Sequence, residues 1–180
     1  NHHIRAYHIY PPKDSLKWAK ICAGIIRHYT EGWANGYNYN IRYWEIWNEP
    51  DNEPEIEKNP MWRGTKEEYF DLYKVASIYL KKQFPHLKIG GFGSCGFYAI
   101  GDGGTVSTAN SSQRTEYFID FFESFLTYVR DHRCPLDFFS WHSYAGIERN
   151  ILFAKYARSR LDEFGFTSTE TTCNEWNPEV

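Results

Sequence analysis

Two glutamates stand out by the company they keep. Tyr43-Trp44-Glu45-Ile46-Trp47-Asn48-Glu49-Pro50 and Cys173-Asn174-Glu175-Trp176-Asn177-Pro178 each set an Asn-Glu pair in tryptophan-rich surroundings. Two carboxyl groups brought face to face can cleave a glycosidic bond: one protonates the departing oxygen while the other attacks the anomeric carbon or activates water. The protonated partner needs a raised pKa, which apolar neighbours or a second carboxylate can supply. Tryptophan and tyrosine add flat apolar faces for the C–H surfaces of a sugar ring, with N–H and O–H groups for its hydroxyls. One such glutamate alone would ordinarily be a surface or ion-paired residue. Two in matching contexts make that reading the weaker one.

The elements that must position them follow from periodicity. Five β-type runs occupy residues 4–9, 42–47, 87–92, 136–141 and 168–173. Four helical patterns lie between them. The first runs from about Ser15 to Tyr29 behind Asp14 as N-cap, with Leu16, Ala19, Ala23 and Ile26 on one face. The second starts at Thr65, where Thr65-Lys66-Glu67-Glu68 has capping-box spacing, and stops before Pro85; its inward face carries Tyr69, Leu72, Ala76 and Tyr79. The third starts near Gln113, aligns Phe118, Phe121, Phe122, Phe125 and Val129, and ends before Pro135. The fourth runs from about Arg149 to Phe164 and meets Gly165, a suitable C′ residue. Alternating β and α units imply parallel strands with right-handed crossovers, in an open doubly wound sheet or a barrel. Both glutamates then fall just beyond the C-terminal ends of strands, where ligands and catalytic groups collect in such folds.

Composition narrows the remaining classes. The 180 residues are 42% hydrophobic and 24% charged, with a formal net charge of −3. Mean hydropathy is −0.63. No basic footprint points to nucleic acid, and no apolar run is long enough to cross a membrane as a helix. Aromatic residues are abundant, with 7 Trp, 14 Tyr and 13 Phe. Cys22, Cys95, Cys134 and Cys173 are widely spaced, as expected of four separate thiols and not of a zinc ribbon or disulfide scaffold. Gly91-Phe92-Gly93-Ser94-Cys95-Gly96 has GxGxxG form, but glycine-rich sequence follows it where a dinucleotide site requires a helix, so it is expected to be a mobile loop. His2, His3 and His8 read as exposed terminal histidines, and Asn110-Ser111-Ser112 fits a glycosylation sequon. No cofactor and no metal is expected.

The WEIWNEP segment at residues 44–50 resembles the acid/base signature of clan A glycoside hydrolases, most closely glycoside hydrolase family 39, which holds β-xylosidases and α-L-iduronidases. Pro11-Pro12-Lys13-Asp14, Trp141-His142-Ser143-Tyr144 and Asn174-Glu175-Trp176-Asn177 agree with it in order, so the resemblance spans most of the chain. It implies an α/β fold, a partial (β/α)8 TIM barrel in which the five strands are approximately strands three to seven, with four helices. It implies Glu49 as general acid/base and Glu175 as nucleophile of a retaining reaction on a β-xyloside-like substrate. Asn48 would bond the sugar 2-hydroxyl, Tyr144 would contact the nucleophile, and His142 would lie nearby. Trp176 and Tyr7 are weaker candidates for the substrate wall. Glu45 is expected inside the barrel, held by a hydrogen bond. Residues 1–180 would form an incomplete catalytic domain, partnered by an oligosaccharide or glycoside and by the remainder of the barrel from the parent chain. Two other readings are a family 5-like endoglycanase of the same clan and a non-catalytic carbohydrate-binding pseudo-enzyme. A nicotinamide-cofactor enzyme built on residues 91–96 would require a helix at Phe97.

Overall fold

The computed structural model describes residues 7–177. After a 3-10 turn at Tyr7–Ile9, the elements alternate: α1 (Ser15–Thr30), β1 (Tyr43–Glu45), α2 (Lys66–Gln83), β2 (Lys88–Ser94), α3 (Gln113–Asp131), β3 (Phe138–Ser143), α4 (Ile147–Glu163) and β4 (Glu170–Trp176). The four strands form one parallel sheet in the order β1-β2-β3-β4, with α2, α3 and α4 as crossovers and α1 leading into β1. The fold is a partial (β/α)8 barrel.

Local chemistry explains where the helices begin. The Asp14 carboxylate accepts the Lys17 N–H at 2.9 Å and caps α1. Thr65 and Glu68 form the reciprocal capping box of α2, and Ser112 with Thr115 does the same for α3. α4 starts at Ile147, two residues earlier than its periodicity suggests, behind Gly146 and without a side-chain cap. Gly165, at φ +89°, follows its C-cap.

The run at residues 4–9 departs from expectation. Residues 4–6 lie outside the described residues, and Tyr7–Ile9 is a turn, not a strand. Ile9 is buried, but its carbonyl accepts the Arg63 N–H at 2.6 Å instead of joining a ladder. Its apolar character thus serves packing against the segment before α2.

The core lies between the sheet and the helices and is dominated by phenylalanine. Phe118, Phe121, Phe122, Phe125 and Val129 of α3 are all buried, as their spacing implies. Phe122 meets Phe139 of β3 at 4.5 Å between centroids, and Phe125 meets Phe92 of β2 edge-on at 4.9 Å. On α1, Ala19, Ala23 and Ile26 are buried while Leu16 is exposed. The concave face of the sheet is polar by contrast. Tyr43, Glu45, Phe138, Glu170, Thr172 and Asn174 line a cavity of about 440 Å³ there. Glu170 accepts from both Tyr43 and Lys88, and Asn174 Nδ2 donates to Glu45 at 2.7 Å. Glu45 is thus an interior residue held by a hydrogen bond.

Candidate active site

Glu49 sits in the loop after β1, and its position is over-determined. Its backbone N–H donates to the Gly93 carbonyl of β2 at 2.9 Å. Trp47 and Glu49 take left-handed backbone conformations, φ 76° and 46°, that non-glycine residues adopt only under external constraint. That constraint is visible. The Trp47 indole donates to the Met61 carbonyl at 2.9 Å and meets Trp62 edge-on at 4.8 Å. Buried Asn59 staples the rest of the loop: its amide donates to the Pro50 and Glu53 carbonyls, and its oxygen accepts from the Met61 and Trp62 N–H groups.

Glu175 arrives from the other end of the sheet. β2, β3 and β4 run later than the apolar runs suggest, whereas β1 ends earlier, at Glu45; β4 continues through Trp176, so Glu175 lies within the strand instead of beyond it. The ladder pairs Trp141 with Cys173 but His142 with Glu175, a bulge that inserts Asn174. One extra residue re-aims a strand side chain. Here it leaves Asn174 bonded to Glu45 and sets Glu175 beside His142.

His142 joins the two glutamates. Its Nδ1 is 2.7 Å from Glu49 Oε1 and 3.7 Å from Glu175 Oε2, and its side chain is only 2% exposed. The Tyr144 hydroxyl donates to Glu175 Oε1. Asn52 Nδ2 donates to Glu49 Oε2 at 2.8 Å, and Arg114 of α3 holds Asn52 through both its carbonyl and its side-chain oxygen. Glu49, Asn52, Cys95, Tyr98, Tyr144 and Glu175 line a cleft of about 540 Å³. Gly93 is required beneath it. At φ +63°, a Cβ there would stand 2.7 Å from Glu45 Oε1, and 3.2 Å from Asn48 Oδ1 and His142 Nε2.

The charges are set by these contacts. Burial raises the Glu49 pKa, but hydrogen bonds from His142 and Asn52, the His142 charge and the Cys95 thiol outweigh it, and the net shift is downward. This is opposite to the raised value expected of an acid. Burial works against the His142 cation, yet the Glu49 hydrogen bond and the charges of Glu175, Glu49 and Glu45 raise its pKa overall. The resting proton therefore favours His142 over Glu49. Its bond to Glu175 pushes the Tyr144 hydroxyl up to about 12, so it remains a donor. Atoms of Glu49, His142 and Glu175 lie within 4.8 Å of one another.

The site therefore brings together Glu49, Glu175, His142 and Tyr144, with Asn48 reaching toward the same cluster across Gly93. Trp176 is not brought there. It is exposed and lines a separate outer groove with Trp141, Ile147, Ile151 and Cys173. The Tyr7 side chain lies outside the described residues. Residues 91–96 are no mobile loop: they are buried in β2 and the turn after it, and no helix starts at Phe97. Asp51, Asn52, Cys95 and Arg114 were not anticipated. For Asn52 and Asp51, adjacency to Glu49 was the available signal; Arg114 lies 62 residues from Asn52 in sequence.

A parallel β/α half-barrel with two carboxylates meeting at the C-terminal ends of its strands belongs to the (β/α)8-barrel class, whose catalytic groups occupy that face. Within that class the sequence is specific. A profile of "Glycosyl hydrolases family 39" matches residues 3–159. The chain belongs to this family. It is 31% identical over 137 residues to a beta-xylosidase of Geobacillus stearothermophilus, covering 74% of this chain and 21% of that protein. It is 36% identical over 85 residues to a beta-xylosidase of Caldicellulosiruptor saccharolyticus, covering 46% of this chain and 16% of that one. Among solved structures, a glucosidase from Croceicoccus marinus superposes with a TM-score of 0.72 at 27% identity, over 93% of this chain and 31% of that one. The chain thus spans about a fifth of the first of these relatives and under a third of the solved enzyme.

Proposed function

We propose that this chain carries the catalytic pair of a retaining glycoside hydrolase acting on β-xylosides, with Glu49 as general acid/base and Glu175 as nucleophile. The observation that carries the reading is the meeting of the two carboxylates across His142, with oxygens of Glu49 and Glu175 within 4.8 Å. Carboxyl groups about 5–5.5 Å apart suit double displacement, whereas inversion needs about 6.5–9.5 Å to admit a water. Family membership and the two beta-xylosidase relatives support the substrate class.

In the first step a Glu175 oxygen bonds the anomeric carbon as the bond to the leaving oxygen breaks, and Glu49 gives that oxygen its proton. In the second, Glu49 takes a proton from water, the water oxygen bonds the anomeric carbon, and the Glu175 carboxylate departs. The lowered Glu49 pKa suits the second step. For the first, the proton on His142 lies one hydrogen bond from Glu49. Tyr144 fixes the attacking carboxylate by hydrogen bonding to the oxygen not nearest His142. In this reading Asn48 bonds the sugar 2-hydroxyl, an interaction that tightens in the transition state.

In the full-length protein, Glu175→Ala is expected to abolish hydrolysis of an aryl β-xyloside. Glu49→Ala should lose most turnover and regain it with azide on substrates with good leaving groups, yielding the β-glycosyl azide. Unchanged turnover in either variant, or an inverted first-formed product by NMR, would overturn the assignment.

A further inference from the structure

The turn after Glu49 places a second side chain against its carboxylate. The Asn52 N–H donates to the Glu49 carbonyl at 3.1 Å, closing a turn with Pro50 at its second position, where the fixed proline φ fits. The turn brings the Asn52 amide beside Glu49, and Nδ2 donates to Oε2 at 2.8 Å. His142 Nδ1 faces the other oxygen, Oε1, at 2.7 Å. The carboxylate is thus held at both oxygens, from its own loop and from β3, and cannot turn without breaking a hydrogen bond.

An asparagine amide is a donor at one end and an acceptor at the other, and left to itself can face Glu49 with either. Arg114 removes the choice. Its Nε donates to the Asn52 carbonyl at 2.6 Å and its Nη2 to Asn52 Oδ1 at 3.1 Å. A guanidinium has no acceptor, so the amide end that meets it must be the oxygen, and the NH2 is left for Glu49. The fork is itself braced. Its central carbon lies 5.1 Å from the centre of the buried Phe118 ring, one turn further along α3, and a Glu53 oxygen stands 3.9 Å from Nε.

We infer that Asn52 is a positioning residue for Glu49 and that Arg114 makes it one: the guanidinium fork turns the Asn52 amide so that its NH2, and not its oxygen, meets Glu49 Oε2, which fixes the plane in which Glu49 gives and takes its proton. The inference rests on the acid/base reading of Glu49. Without the fork the amide is free to rotate, and its oxygen turned toward Glu49 would repel the carboxylate and release its orientation.

Acid assistance in the first step matters more the poorer the leaving group, whereas the second step needs Glu49 as base whatever the substrate. A phenyl β-xyloside, with a poor leaving group, and a dinitrophenyl β-xyloside, with a good one, therefore separate the two steps. In the full-length protein Asn52→Ala, Arg114→Ala and Arg114→Lys should each lower kcat/KM on the phenyl substrate about tenfold, near the low end of the worth of a hydrogen bond to a charged group. On the dinitrophenyl substrate kcat and KM should fall together, because the glycosyl-enzyme accumulates. Arg114→Lys keeps the charge but not the fork. Arg114 lies in the first turn of α3 with its side chain 50% exposed, so its variants carry the test even where Asn52→Ala folds poorly. Equal losses on both substrates at unchanged KM would mark a structural role, a raised KM on both a substrate contact, and wild-type kinetics in Arg114→Lys an effect of charge alone. Each of these overturns the inference. Glu49→Ala assayed alongside keeps the two readings apart. If it shows the split between substrates while the Asn52 and Arg114 variants do not, the inference alone falls. If Glu49→Ala shows no split, the acid/base reading falls and takes the inference with it.

Discussion

His142 decides the charge state of the cleft, and its effect on stability has a definite pH window. The Glu49 pKa lies below its ordinary 4.5, so its contribution is present above that value and is lost as pH falls through the lowered one. The His142 pKa lies above 6.5, so its contribution is full below 6.5 and is lost as pH rises through the raised value. Both act at full strength only between pH 4.5 and 6.5. His142→Ala should therefore destabilise the full-length protein most in that window, by about 1.5–3 kcal/mol, the worth of a hydrogen bond to a charged group. Calorimetric Tm values across pH check this. A loss as large at alkaline pH as within the window would mean that packing, and not the ion pair, is what the imidazole contributes.

At the scale of elements, the loop after β1 holds the acid/base candidate in a backbone conformation it would not adopt freely, and Asn59 closes that loop on itself. Asn59→Ala would orphan the Met61 and Trp62 N–H groups and two carbonyls. Each buried group left unpaired costs about 1–3 kcal/mol. The substitution should lower Tm by several degrees and reduce kcat more than it raises KM, since Glu49 is displaced while the rest of the cleft remains. A kcat equal to wild type would show that Glu49 is held by the Gly93 carbonyl alone. What the sequence reveals at this scale is local. The box at Thr65 and Glu68, the α3 phenylalanine stripe and Gly165 after α4 are written in short spacings and fold as such. The two glutamates stood out as a candidate pair because each carries its tryptophan neighbours with it, and the structure brings both beside His142. The bulge at Asn174, the Arg114–Asn52 support and the burial of Asp51 were not. Each depends on a partner 30 or more residues away, and no period records it.

The whole molecule presents a sheet open at both sides. β1 and β4 each pair with one neighbour, and no bridge joins them among the described residues. A barrel closes by pairing every strand twice, which removes edges that would otherwise recruit other chains. Two apolar surfaces add to the exposure. Ile147, Ile151 and Trp176 are 71%, 52% and 66% exposed beside β4, and Ile21, Ile25 and Trp33 are 56%, 46% and 58% exposed along α1. Water is a poor solvent for both, at roughly 25 cal/mol per Å² of apolar area. The concave cavity beneath the cleft is likewise lined from one side only, whereas a closed barrel fills its interior with layers of side chains from all its strands. Glu170, Lys88, Tyr43 and Asn174 then depend on solvent for part of their hydrogen bonding. A polypeptide of these 180 residues alone should consequently self-associate and show no turnover of an aryl β-xyloside. Full-length protein at the same concentration should be monodisperse and active. Light scattering alongside a turnover assay settles the matter. A monomeric, cooperatively melting and active 180-residue polypeptide would show that four strands suffice to hold Glu49 and Glu175 in register without closure of the barrel.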